Sequence, residues 1–94
     1  MSRYLIEVPH ANTHDACVQA VRAFMAGGSH FLTHADWGCS DDEHKAWLIV
    51  ELDSKVEAKR ILPSLYRDEA KITLLEQYTY EDVYKNVEDH PKQG

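Results

Sequence analysis

The chain has 94 residues, a hydrophobic content of 44% and a formal net charge of −6 with neutral histidines. Its basic residues are scattered along an acidic chain, which argues against nucleic acid and anionic membranes as partners, because phosphate binding needs clustered Lys and Arg. No apolar run approaches the roughly 20 residues that span a bilayer. We expect one cytoplasmic domain over residues 1–88 and a flexible tail over residues 89–94.

The first half of the chain predicts a strand, a helix and a second strand. Residues 3–8 alternate between apolar and polar side chains, as a strand with one buried face does. Asn12 is the expected N-cap of a helix that ends near Gly27, and the apolar positions of this helix include Cys17. Residues 29–37 alternate again and predict a second strand.

The second half predicts two more strands and two helices. Residues 45–52 form the most apolar alternating segment. Ser54 and Glu57 fit a capping box at the start of a helix that Pro63 ends or kinks. Residues 70–78 predict the fourth strand. The predicted fold is α+β and ferredoxin-like, βαββαβ, with an antiparallel sheet of order 4-1-3-2, two helices on one face and a short C-terminal helix.

This predicted topology gathers metal-ligand side chains at one end of the sheet. The end of strand one, the end of strand two and the start of strand three share that end. Imidazole and thiolate ligands suit nickel, zinc or copper. The candidate ligands there are His10, His14, Cys39 and His44. The simpler hypothesis is that each histidine hydrogen-bonds to nearby backbone or carboxylate groups, which is the commoner situation.

A hairpin centred on residues 41–42 determines which side chains occupy the sheet face that no helix covers. It pairs Asp36 with Trp47, His34 with Ile49 and Leu32 with Glu51. The expected face comprises Leu5, Glu7, His30, Leu32, His34, Asp36, Trp47, Ile49 and Glu51. An apolar face of this size is unfavourable in water, so we expect a second copy to cover it in a symmetric homodimer.

His34 is the expected acid or base of an enzymatic alternative, an isomerase or lyase. Partly desolvated and close to Glu7 or Glu51, it would be placed to move a proton. Trp47 and the same two acids would line the ligand pocket, and His34 paired with them is also a candidate metal ligand. No catalytic triad order, phosphate-binding loop or dinucleotide fingerprint occurs in the sequence. A third hypothesis is a structural or regulatory interaction domain.

The two cysteines are expected to act separately, since two cysteines make no disulfide framework. Cys17 lies on the apolar side of the first predicted helix and is expected to be an inert core residue. Cys39 lies in a loop beside acids, which disfavour a reactive thiolate. Cys39 is therefore considered only as a metal ligand.

One stretch of the chain resembles a known family. It runs from residues 40–45, Ser-Asp-Asp-Glu-His-Lys, through an apolar strand to residues 53–58, Asp-Ser-Lys-Val-Glu-Ala. The stretch resembles a family of small ferredoxin-like proteins, some of them nickel-binding. It is also similar to the wider dimeric α+β barrel group, which includes muconolactone isomerase-like proteins. The resemblance covers about half the chain and implies a homodimer with a metal or small-ligand site. The leading hypothesis is therefore a small homodimeric binding protein with a His/carboxylate site.

Overall fold

The computed structural model describes residues 1–27 and 29–85. The chain forms a four-stranded antiparallel sheet within these residues, and its strands are β1 (Ser2–Pro9), β2 (Asp36–Trp37), β3 (Lys45–Leu52) and β4 (Lys71–Leu75). The helices are α1 (His14–Ala26), α2 (Lys55–Arg60) and α3 (Tyr80–Lys85), and short 3-10 helices cover His30–His34, Cys39–Asp41 and Ser64–Tyr66. The predicted tail, residues 89–94, lies outside the described residues.

β1 is the strand around which the sheet is built. It pairs along its whole length with β3 on one side, and its residues 3–7 pair with β4 on the other. β2 extends the outer edge of β3, with Asp36 opposite Trp47 as the hairpin register predicts. The order across the sheet is β2-β3-β1-β4, which is β4-β1-β3-β2 when read from the other edge.

The prediction of a ferredoxin-like βαββαβ fold is wrong, although the chain is α+β. The sequence predicts a full strand over residues 29–37, but the chain forms a 3-10 helix over His30–His34 and only 2 residues of strand. Thr33 Oγ1 donates to the carbonyl of His30 at 2.7 Å, and such local bonds compete with a sheet ladder. Leu32 is completely buried in the core. The expected pairs of His34 with Ile49 and of Leu32 with Glu51 therefore do not form.

The core lies between one face of the sheet and the helices α1 and α2. Alternate residues of β1 and β3 are buried in it, and the residues between them, on the open face of the sheet, are half-buried or exposed. The buried apolar side chains are Tyr4, Ile6, Val8, Ala20, Phe24, Leu32, Ala46, Leu48, Val50, Leu52, Ala58, Leu62 and Ala70. Within the described residues, no helix is long and apolar enough to cross a membrane.

Helices α1 and α2 begin at side-chain caps. Thr13, one residue after the predicted Asn12, caps α1, since its Oγ1 accepts from the N–H of Ala16 at 3.1 Å. Ser54 caps α2 as predicted and accepts from the N–H of Glu57 at 3.2 Å. These caps fix where each helix starts, and the start of α1 sets the position of Cys17 one turn later.

Candidate metal centre

Three segments of the chain meet where β1 ends and β3 begins. His10 follows β1, Cys39 begins a 3-10 helix and His44 precedes β3. The N–H of His10 donates to the carbonyl of His44 at 3.0 Å. One ligand atom from each of the three residues lies within 4.8 Å of the other two. Ligands on a tetrahedral ion lie about 3.3–3.8 Å apart, so shifts of about 1 Å would place all three on one ion.

The ring of His10 presents an unprotonated nitrogen to Cys39. His10 Nδ1 lies 3.0 Å from the carbonyl oxygen of Ala11. A carbonyl oxygen only accepts, so Nδ1 carries the proton of the neutral ring. The lone pair is then on Nε2, which lies 3.2 Å from Sγ of Cys39. Metal-bound histidines are commonly oriented in this way, by donating the other ring N–H to a carbonyl or a carboxylate.

In the ring of His44 the two nitrogens have the opposite roles from those in His10. Its Nε2 lies 3.1 Å from Oδ1 of Asp42, so the neutral ring donates Nε2–H and holds its lone pair on Nδ1. This Nδ1 is buried and has no hydrogen-bond partner within the described residues. Buried polar atoms without partners are uncommon in folded proteins and call for an explanation. A metal ion bound to Nδ1 would satisfy this atom.

Aromatic rings wall the cluster and connect it to the core. The rings of His10 and His44 meet edge to face, with centroids 5.6 Å apart. Trp37 lies against both His10, at 6.1 Å, and the buried Phe24, at 5.0 Å between centroids. This contact anchors the imidazole of His10 to the packed interior rather than to a free loop.

Gly38 allows the loop that carries Cys39 to close tightly. The N–H of Glu43 donates to the carbonyl of Gly38 at 2.9 Å, and the N–H of Gly38 donates to the carbonyl of Lys45 at 3.1 Å. A Cβ atom at position 38 would lie 2.6 Å from the carbonyl oxygen of Glu43 and 2.6 Å from a ring carbon of Trp47. Any side chain at position 38 would therefore force the loop open.

Cys39 is joined to Cys17 of α1 by a disulfide, so the prediction of two separate cysteines is wrong. The bond joins α1 to the loop that carries Cys39. Disulfides are typical of oxidising compartments, whereas the sequence predicts a reducing cytoplasm. A disulfide sulfur carries no negative charge, so Cys39 becomes a thiolate ligand only after reduction.

The structure does not bring the two other candidate ligands, His14 and His34, to this cluster. His14 is the first residue of α1 and is exposed. His34 is exposed at the end of a 3-10 helix and lines a groove of about 350 Å³ on the open sheet face, together with Asp36 and Trp47. Within the described residues, neither belongs to a group of three close ligand-type side chains.

The two acids predicted beside His34 have other neighbours. Glu7 lies 4.0 Å from the amino group of Lys45, and Glu51 lies opposite Arg3 across the β1–β3 pair. Because residues 30–34 are not a strand, His34 does not stand in register with them. Of the predicted pocket, Trp47 lines a groove with His34, and neither Glu7 nor Glu51 is among the residues that line that groove.

Sequence reasoning missed the groups that orient the two imidazoles. Asp42 and the carbonyl of Ala11 hold one ring nitrogen each. The spacing Asp42-x-His44 in a tight loop is the only local signal for the first of them. The role of the Ala11 carbonyl depends on the turn after β1. Because this is a backbone group, the residue type at this position does not indicate it.

Comparison with protein-family models, with curated proteins and with solved structures finds no match. The resemblance to small nickel-binding ferredoxin-like proteins and to dimeric α+β barrels therefore stays a prediction.

Gly38→Ala is expected to destabilise the protein by about 1–3 kcal/mol, as overpacking of a close-packed site does. The added methyl group would meet a backbone oxygen and the Trp47 indole, neither of which moves easily. Urea denaturation of the disulfide-containing protein measures the change. Ser40→Ala, an exposed position in the same loop, is the control and should stay within about 0.5 kcal/mol of the parent. Equal stability of the two variants would contradict this packing.

Proposed function

We propose that the protein binds a transition metal ion through His10, Cys39 and His44 when Cys39 is reduced. The observation that carries this proposal is the direction of two lone pairs. Each imidazole has one nitrogen held by an oxygen acceptor. The other nitrogen of His10 lies 3.2 Å from Sγ of Cys39, and the other nitrogen of His44 is buried with no hydrogen-bond partner among the described residues. Two nitrogens and one sulfur form a donor set that suits zinc, and also copper or nickel.

The simpler hypothesis, that these histidines are ordinary hydrogen-bonding residues, accounts for only one of the two nitrogens of each ring. It accounts for His10 Nδ1 with Ala11 and for His44 Nε2 with Asp42. It leaves a buried, partnerless nitrogen on His44 and a lone pair of His10 facing a sulfur. Metal binding accounts for both of these remaining atoms with one ion, and this favours the functional hypothesis.

Charge around the cluster also favours a cation. The loop between Cys39 and His44 carries Asp41, Asp42 and Glu43, and all three are exposed. Acidic side chains concentrate cations near a protein surface. Asp42 hydrogen-bonds to His44 and is not itself in the ligand group.

The reduced protein, without a His-tag, is expected to bind one equivalent of Zn²⁺. His10→Ala and His44→Ala should each weaken binding at least about 100-fold, because loss of a direct ligand costs no less than loss of an orienting partner. Asp42→Asn keeps a residue type that tolerates the left-handed backbone at φ 61° and should cost about 10-fold, as loss of an orienting partner does. Competition with a chromophoric chelator measures the affinities.

His34→Ala is the matched control, because it removes an exposed histidine outside the cluster. Its zinc affinity should equal that of the parent protein. Unchanged affinity in both His10→Ala and His44→Ala, or an equal loss in His34→Ala, would contradict the assignment of these ligands.

We also propose that a second copy of the chain covers the open sheet face. Ile49 is 54% exposed at the centre of this face, directly opposite Leu5 of β1. The neighbouring cross-strand pairs carry both positive and negative side chains, with Arg3 opposite Glu51 and Lys71 opposite Glu7. An apolar centre with a mixed-charge border can complement itself across a two-fold axis, as symmetric dimers require.

Ile49→Asp is expected to convert the dimer to monomers, because two buried carboxylates would face each other near the two-fold axis. Analytical ultracentrifugation of the parent and the variant measures the mass. Val56→Asp is the control, since Val56 is similarly exposed, at 60%, but lies on α2 on the opposite side of the sheet. A parent protein that sediments as a monomer would contradict the proposed dimer.

A further inference from the structure

Cys17 has no part in the three-ligand site, yet its sulfur is bonded to the sulfur that the site uses. We propose that Cys17 is the fourth ligand. The reduced protein then holds a zinc-class ion in a closed set of two cysteines and two histidines, and formation of the disulfide releases the ion. This inference rests on the proposed function and adds to it a fourth ligand and a mode of regulation.

The backbone already has the spacing that a shared ion needs. Two thiolates on a tetrahedral zinc lie about 3.8 Å apart, because each Zn–S bond is about 2.3 Å long. The Cα atoms of Cys17 and Cys39 are 6.9 Å apart, just beyond the range that disulfides usually span, about 4.4–6.8 Å. Separating the sulfurs therefore requires rotation of the side chains and no approach of the backbone.

The position of α1 keeps Cys17 beside Cys39 after reduction. The N–H of Cys17 donates to the carbonyl of Thr13 at 3.1 Å, within the first turn of the helix. Ala20 and Phe24, on the same side of α1, are each 1% exposed. Since the core holds this side of the helix, the two thiols stay adjacent when the covalent bond is removed. The donor set becomes two thiolates and two imidazoles, which is typical of structural zinc.

Metal binding and the disulfide exclude each other because the ion needs both sulfurs as thiolates. With a small-molecule disulfide as oxidant, the Cys39 thiolate attacks one oxidant sulfur and expels the first small thiolate. The Cys17 thiolate then attacks the Cys39 sulfur of the mixed disulfide and expels the second. The oxidant S–S bond breaks, the Cys17–Cys39 bond forms, and two electrons pass to the oxidant. The metal ion leaves with its charge unchanged, and a dithiol reverses the exchange.

A small thiol or disulfide has a route to this site. Cys17 and Cys39 are both half-buried rather than sealed in the core. The structure described here, with its disulfide, is then the released form, and the reducing compartment predicted from the sequence would contain the loaded form.

Cobalt substitution tests the fourth ligand. Reduced parent protein loaded with Co²⁺ should show a thiolate-to-cobalt charge-transfer band, and Cys17→Ser should retain about half its intensity while binding at least about 10-fold more weakly. Cys17→Ala checks that the serine hydroxyl does not act as a ligand, and far-UV circular dichroism checks the fold of each variant. An undiminished band in Cys17→Ser would overturn the fourth ligand and leave the three-ligand site intact. Failure of the reduced parent to bind Co²⁺ would instead overturn the proposed function.

The release step is tested on the parent protein without any substitution. Zinc-loaded protein is treated with oxidised glutathione, and free zinc and free thiols are followed together. One zinc ion should appear for every two thiols lost, and dithiothreitol should restore both the thiols and the bound zinc. Zinc that stays bound after the thiols are consumed would overturn the release.

Discussion

The pairing of β1 with β3 is the constraint on which the rest of the structure depends. Its register places Pro9 opposite Lys45 at the last rung, so the next residues out, His10 and His44, meet at the end of the ladder and share a backbone hydrogen bond. A slip of one residue would send every side chain of one strand to the other face. The same slip would bury polar groups and separate the two imidazoles, so the core and the candidate site are fixed by one register.

Strands with clear alternation could be predicted from the sequence. The conformation of a segment in which local hydrogen bonds compete with a sheet ladder could not. Residues 3–8 and 45–52 alternate because one face is buried, and both form strands. Residues 29–37 alternate equally well, but Thr33 bonds back to His30 and Leu32 enters the core, so a 3-10 helix forms instead. The pattern of polar and apolar residues does not distinguish a strand from a 3-10 helix here, since both conformations are compatible with that pattern over a segment this short.

The candidate site could likewise be predicted from the sequence only in part. The topology predicted from the sequence brings His10, Cys39 and His44 to one end of the sheet, and the structure places them together. It does not add His14 or His34, whose positions depend on where α1 begins and on the lost strand. The bond between Cys17 and Cys39 spans 22 residues and follows from the docking of α1, a tertiary contact that spacing does not encode. Under the proposed release mechanism, the disulfide and the thiolates expected in a reducing compartment would be two redox states of one site.

X-ray absorption spectroscopy at the zinc edge of the reduced, zinc-loaded protein tests the central claim most directly. If the ion is held by imidazoles and by cysteine, the first shell contains nitrogen at about 2.0 Å and sulfur at about 2.3 Å. A shell of nitrogen and oxygen alone would show that Cys39 is not a ligand and would contradict the proposed ligand set of His10, Cys39 and His44.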